Sequence, residues 1–185
     1  MLPHQKEEIN MSNLDIASYN RQGKVFVAAN TSAKSVIAVT TVMTGVILHN
    51  PTGSGKKLII VDAGFAWTTV PGAVHNLALA LAAPNATAPA SLTAIGSGVL
   101  NADGSGASAS AVGRAYDAAT LPVAPVAVRW FAGAAWGTSV GVSPHSLLDH
   151  VDGALILVPG ATLTFAAVTT TAVGMGSLTW IEVNV

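Results

Sequence analysis

Beyond residue 24 the hydrophobic positions of this chain come in short runs separated by turn residues, with no long stretch of helical period. Val25-Phe26-Val27, Ser35 to Thr40, Val46-Ile47-Leu48 and Leu58 to Val61 (extended through Phe65 and Trp67) are the early runs. Val123 to Phe131, Ala154 to Val158, Thr162 to Val168 and Leu178 to Val185 follow. β-Branched residues at this spacing predict an all-β fold, a sandwich or barrel. Leu77-Ala78-Leu79-Ala80-Leu81-Ala82 alternates large with small and is read as a strand between turns, although leucine and alanine also favour a helix. Thr179 to Val185 alternates as well. Ile181, Val183 and Val185 share one side and are expected to be buried, which places Trp180, Glu182 and Asn184 on the wet or subunit-facing side.

Turn chemistry fills the gaps. Asn50-Pro51-Thr52-Gly53-Ser54-Gly55-Lys56 reads as a hairpin loop. Residues 96–113, rich in Gly, Ser and Ala, read as one long loop. Ser143 as N-cap and Pro144 at the first helical position predict a short helical turn running towards Asp149.

Charge divides the chain in two. Six of the seventeen Asp, Glu, Lys and Arg lie in residues 1–24 and eleven in residues 25–185, where an ordinary soluble domain is about one-quarter charged. The division gives an N-terminal arm, 1–24, and a β-sandwich domain, 25–185. Such composition in the arm suits a disordered tail; the reading preferred here is an arm held by a neighbouring subunit, with Ile9, Leu14, Ile16 and Tyr19 as anchors. A monomer with so little charge has little to keep it from its copies, so the domain reads as a building part whose surface is covered by other subunits.

The net charge of −1 gives no reason to expect nucleic-acid binding. The chain has no cysteine, hence no disulfide and no thiolate metal site. A polar N-terminus and the lack of any apolar run of about 18 residues lead to the expectation of a soluble product of cytoplasmic synthesis, with no membrane partner and no cofactor.

Three motifs suggest chemistry and fail on context. Gly53-Ser54-Gly55-Lys56-Lys57 lacks the leading glycine, the hydroxyl after lysine and the following helix that a phosphate-binding loop needs. Gly137-Thr138-Ser139-Val140-Gly141 matches a nucleophile elbow, but Pro144 interrupts the helix such an elbow requires. His145 and Asp149 would share a face of the expected helical turn at a spacing suited to a divalent metal, yet a capped turn leading into the next strand is the preferred reading. Arg129-Trp130-Phe131 with Trp136 supplies three rings and a cation that, if exposed, suit stacking on a sugar or a base or an interface, but a core role for at least two of the rings is the preferred reading. No enzyme is expected.

Val46 to Ile60, Asp152 to Leu163 and Leu178-Thr179-Trp180-Ile181-Glu182 are turn-plus-strand signatures covering about a quarter of the chain. In these segments the sequence resembles small virion proteins of tailed bacteriophages, of the capsid cement or decoration type. The resemblance implies a jelly-roll β-sandwich with an extended N-terminal arm and a homotrimer on the capsid surface. It also implies the major capsid protein as partner and supplies no catalytic residue. Trp136 and Trp180 are further candidates for subunit contacts. The alternative is a tail or surface module binding host glycan through Trp130, Trp136 and the glycine-rich loop. Deletion of residues 1–24 is expected to abolish capsid attachment and leave the trimer folded.

Overall fold

The computed structural model describes residues 15–69, 76–107, 110–130, 146–167 and 171–185. Among these residues one short helix, α1 (Ile16–Arg21), precedes fourteen strands. The first five are β1 (Val25–Ala29), β2 (Lys34–Val36), β3 (Val42–His49), β4 (Lys56–Trp67) and β5 (Leu77–Ala82). An insertion carries β6 (Ala90–Ala94), β7 (Leu100–Asn101), β8 (Gly106–Ala107) and β9 (Arg114–Thr120). The chain ends with β10 (Val126–Trp130), β11 (Ser146–His150), β12 (Ile156–Leu157), β13 (Thr162–Ala167) and β14 (Ala172–Asn184).

Two antiparallel sheets pack together, with orders β11-β4-β14-β1-β7-β8 and β10-β5-β13-β3-β9-β6. Setting aside the insertion and the short β2 and β12, eight strands remain. Numbered along the chain they run first-eighth-third-sixth in one sheet and second-seventh-fourth-fifth in the other. The nested pairing of first with eighth, second with seventh, third with sixth and fourth with fifth is jelly-roll connectivity. The insertion widens both sheets, β7 and β8 beyond β1, and β9 and β6 beyond β3.

Alternation explains the core. Leu77 and Leu79 of β5 point between the sheets, where they meet Phe26, Phe65, Leu163, Phe165 and Trp180, while Ala80 and Ala82 point the other way into a smaller cluster with Met43, Ile47 and Leu121. The Leu-Ala repeat is therefore a strand, and its small residues belong to the far face. Phe65 sits 5.7 Å from Phe165 between ring centroids, and Phe26 sits 6.1 Å from Trp180, spacings at which tilted rings attract.

Several expectations change. Trp180 is wholly buried between the sheets and is no subunit contact. Its face of β14 is the inner one because Glu182 beside it is buried too, with its carboxylate satisfied by donors from the insertion. Strand β14 starts six residues earlier than Leu178, since Gly174 and Gly176 mask it in the sequence. A Cβ on Gly174 would lie 2.6 Å from the Phe65 ring. Glycine is thus what lets the strand pass that side chain.

Loop 50–55 has the turn residues expected but is not a hairpin. It carries the chain from one sheet to the other, since β3 pairs with β9 and β13, and β4 with β11, β12 and β14. Asn50 holds this corner: its Nδ2 donates to the carbonyls of Lys56 (2.8 Å) and Leu157 (2.9 Å), and its Oδ1 accepts from Ser54 Oγ (2.7 Å). Residues 146–150 are a strand in register with Ala66 to Asp62, not a helical turn. The glycine-rich stretch also contains β7 and β8, pinned beside β1.

Candidate interaction surface

Charge on the sandwich is scarcer in space than along the chain. Six of the eleven charged residues beyond residue 24 neutralise one another in pairs. Lys34 Nζ lies 2.9 Å from Asp117 Oδ2, Lys56 Nζ lies 3.3 Å from Glu182 Oε2, and Arg129 grips Asp149. Asp62 Oδ1 meets His150 Nδ1 at 2.7 Å. Lys57, Asp103, Arg114 and Asp152 have no ion-pair partner among the described residues. Of these, Asp103 serves its own turn. The hydroxyl and amide of Ser105 hydrogen-bond its carboxylate and hold it below the usual carboxylate range.

Against this stand, among the described residues, eleven exposed large hydrophobic ones, including Val126, Val128, Trp130, Leu148 and Met175. Strands β10 and β11 end the two sheets on the same side of the sandwich, and Arg129 reaches across the opening between them. Its Nε and Nη2 donate to the two carboxylate oxygens of Asp149, Nη2 at 2.9 Å. The Asp149 hydrogen bonds make the guanidinium hold its proton more firmly than a free one does, outweighing slight burial. Asp149 is thereby engaged with Arg129, while His145 lies outside the described residues. Among the described residues no group of three or more His, Asp or Glu is placed to hold a metal ion.

The outer face of the first sheet has a covered half and an open half. Ile16 and Tyr19 of α1 lie over Val25, Ile59, Val61 and Ile181, all buried. Asp15 caps the helix by accepting from the Ser18 amide at 3.0 Å. These two anchor candidates are therefore partly taken up by their own sheet, with the rest of each side chain open. Ile9, Leu14 and Trp136 lie outside the described residues, as do Phe131 and the 137–141 serine motif. On the open half, a groove of about 410 Å³ has small residues such as Gly64, Ala66 and Ser177 for its floor, and Leu148 and Met175 at its sides. No lining residue titrates. The groove's lining is mostly apolar, with Asn30, Ser146 and Ser177 as its polar side chains.

The remaining histidine among the described strands is structural. His49 is buried with Nδ1 2.9 Å from Thr162 Oγ1. Burial lowers its pKa below the ordinary value, partly offset by a hydrogen bond with the Ala161 backbone. The unfolded chain then binds the extra proton first, so stability is full above about pH 6.5 and falls as pH drops from there through the folded-state value. His49→Gln is expected to flatten this loss. Denaturant midpoints of both proteins between roughly pH 7.5 and 5, the window set by the histidine pKa, should converge as acid is added; parallel curves would count against it.

Comparison with family models, with curated proteins and with solved structures finds no match.

Sequence reasoning missed Asp149 as the partner of Arg129, because twenty residues separate them and only the jelly-roll winding brings β10 and β11 to one side. It also missed β9 entirely. The Ala-rich run Arg114-Ala115-Tyr116-Asp117-Ala118-Ala119-Thr120 gives a weak strand signal, and its buried Asp117 is legible only once Asn30 Nδ2, at 2.7 Å, and Lys34 are seen to satisfy it.

Proposed function

We propose that this protein is a structural component of a phage virion, a jelly-roll cement or decoration subunit that acts by covering surface at capsomer junctions. The observation that carries the reading is the pairing-off of charge. A sandwich in which six of the eleven charged residues beyond residue 24 cancel in pairs, and which leaves Val126, Trp130 and Leu148 in water, has the composition of a contact surface. Jelly-roll winding and the segment resemblance support the same reading. Association with further copies and with the major capsid protein would bury these side chains, and separating capsomers would then also expose the bridging contacts. No step of this kind needs a cofactor. The glycan-binding alternative keeps one supporting observation, the half-exposed ring of Trp130.

Purified protein mixed with shells lacking it is expected to co-sediment with them and to appear by electron microscopy at repeated lattice positions. Failure to attach to any shell would overturn the proposal. Density confined to the tail would favour the glycan-binding reading.

A further inference from the structure

Asn30, Lys34 and Asp117 join the two sheets by polar contact. Asn30 follows β1 and Lys34 opens β2, both in the first sheet, and Asp117 lies in β9 of the second. Asn30 and Asp117 are buried, whereas the Lys34 side chain keeps 26% of its surface in water. One carboxylate holds both of the others. Asp117 Oδ2 lies 2.9 Å from Lys34 Nζ, and Oδ1 accepts from Asn30 Nδ2 at 2.7 Å. The carboxamide is fixed at its other end too, since Asn30 Oδ1 accepts from the Gly176 amide at 3.0 Å. The Asn30 amide donates in turn to the Gly176 carbonyl at 3.0 Å.

Satisfying Asp117 asks only for a cation and a donor. This site also has the parts of an acyl transfer. Lys34 supplies an amine as nucleophile, and Asn30 an acyl carbon bearing nitrogen as leaving group. Asp117 touches both nitrogens and can move protons between them. The Gly176 amide sits on the acyl oxygen, where a main-chain donor stabilises the charge that develops as the carbon becomes tetrahedral. Lys34 follows Asn30 by four positions, and holding both on one carboxylate makes their meeting an intramolecular step.

We infer that Lys34 and Asn30 condense to an isopeptide bond, with Asp117 as proton carrier. A proton first passes from the Lys34 ammonium to Asp117, leaving a neutral amine beside a neutral acid. The Nζ lone pair forms a bond to Asn30 Cγ, and the carbonyl electron pair moves onto Oδ1, facing the Gly176 amide. Asp117 gives its proton to Nδ2, and the carboxylate so restored takes one of the two protons left on Nζ. The carbonyl then re-forms, the Cγ–Nδ2 bond breaks and ammonia leaves, removing the proton from Asp117 as ammonium. One C–N bond replaces another, with no oxidant, reductant or second substrate. The bond forms within one chain and owes nothing to the assembly reading above.

Intact-mass spectrometry and a tryptic map of the purified full chain test it. The wild type is expected to have lost one ammonia. The map should place that loss on a peptide spanning residues 25–56, in which the bond after Lys34 stays uncut. Lys34→Arg keeps a cation for Asp117 but offers no free amine, and Asp117→Asn keeps the shape but carries no proton; both should retain the ammonia. Should either variant fail to fold, the wild-type mass and map decide alone. A wild type that keeps its ammonia through prolonged incubation at neutral pH, and is cut normally after Lys34, overturns the bond. Ammonia lost equally from wild type and Lys34→Arg would report ring closure of Asn30 on its own main chain and overturns it as well. Loss of a water instead would put the link on Asp117 and overturn the role given to Asn30. None of these outcomes bears on shell binding, which decides the virion reading separately.

Discussion

Replacing Glu182 with alanine is expected to lower the unfolding free energy by about 3–5 kcal/mol, the usual cost of removing one partner from a buried charged network. Its carboxylate is fully buried. Oε1 accepts from the Gly113 amide at 2.9 Å, the Val112 amide at 3.0 Å and Trp180 Nε1 at 3.3 Å, and Oε2 faces Lys56 Nζ. Alanine strands three donors in the core, each costing about 1–3 kcal/mol when unpaired. It also frees Lys56, which recovers little because its ammonium already reaches water. Glu182→Gln keeps the shape and one acceptor oxygen and should fall between the two. Denaturant midpoints at constant m-value give the size of the effect. Hydrogen exchange gives its place, since the amides of Val112 and Gly113 should lose protection first. A Glu182→Ala protein within about 1 kcal/mol of wild type, the scale of an ordinary surface change, would show that the carboxylate does not clamp the insertion.

That clamp also shows what the sequence conceals. Two-residue alternation made β5 legible, because Leu77, Leu79 and Leu81 differ from their alanine neighbours in size alone and either face is apolar. The same rule misplaced Trp180. It sorts residues by polarity, and Glu182 is polar yet buried, its cost met by donors seventy residues away in the insertion. Turn composition located the 50–55 corner but not its destination, since Asn-Pro and two glycines bend the chain equally well within a sheet or between sheets. Loss of strand signal at Gly174 and Gly176 has the opposite cause: side-chain room taken by Phe65 and Phe165 removes the residues that would announce a strand. Charge-poor composition signals a surface short of ions without saying which apolar side chains lie on it. Which residues form it depends on strand order, and that set Trp130 and Leu148 outside and Ile16 and Tyr19 beneath their own helix.

Truncation separates the two roles assigned to the N-terminal residues. Removing residues 1–24 takes away α1, the Asp15 cap and the hydrogen bond from the Glu182 amide to the Lys24 carbonyl. It opens Val25, Ile59, Val61 and Ile181 to water. A fully buried side chain of this kind is worth about 1.5–3 kcal/mol, and a six-residue helix covers each only in part while itself losing entropy to form. The expected difference between the 1–24 and 1–14 truncations is therefore about 2–4 kcal/mol by area reasoning. For a chain of this size that lowers Tm by roughly 5–15 °C. Deleting 1–24 thus destabilises the domain as well as removing the arm, so loss of capsid attachment in that variant does not by itself identify a docking role for the arm. The 1–14 truncation asks the cleaner question, since it removes Ile9 and Leu14 and keeps Ile16 and Tyr19 on the sheet. Its failure to coat shells, with a melting temperature matching wild type, would assign the docking role to residues 1–14. Equal melting temperatures for both truncations would instead mean that α1 contributes nothing to the sheet it covers.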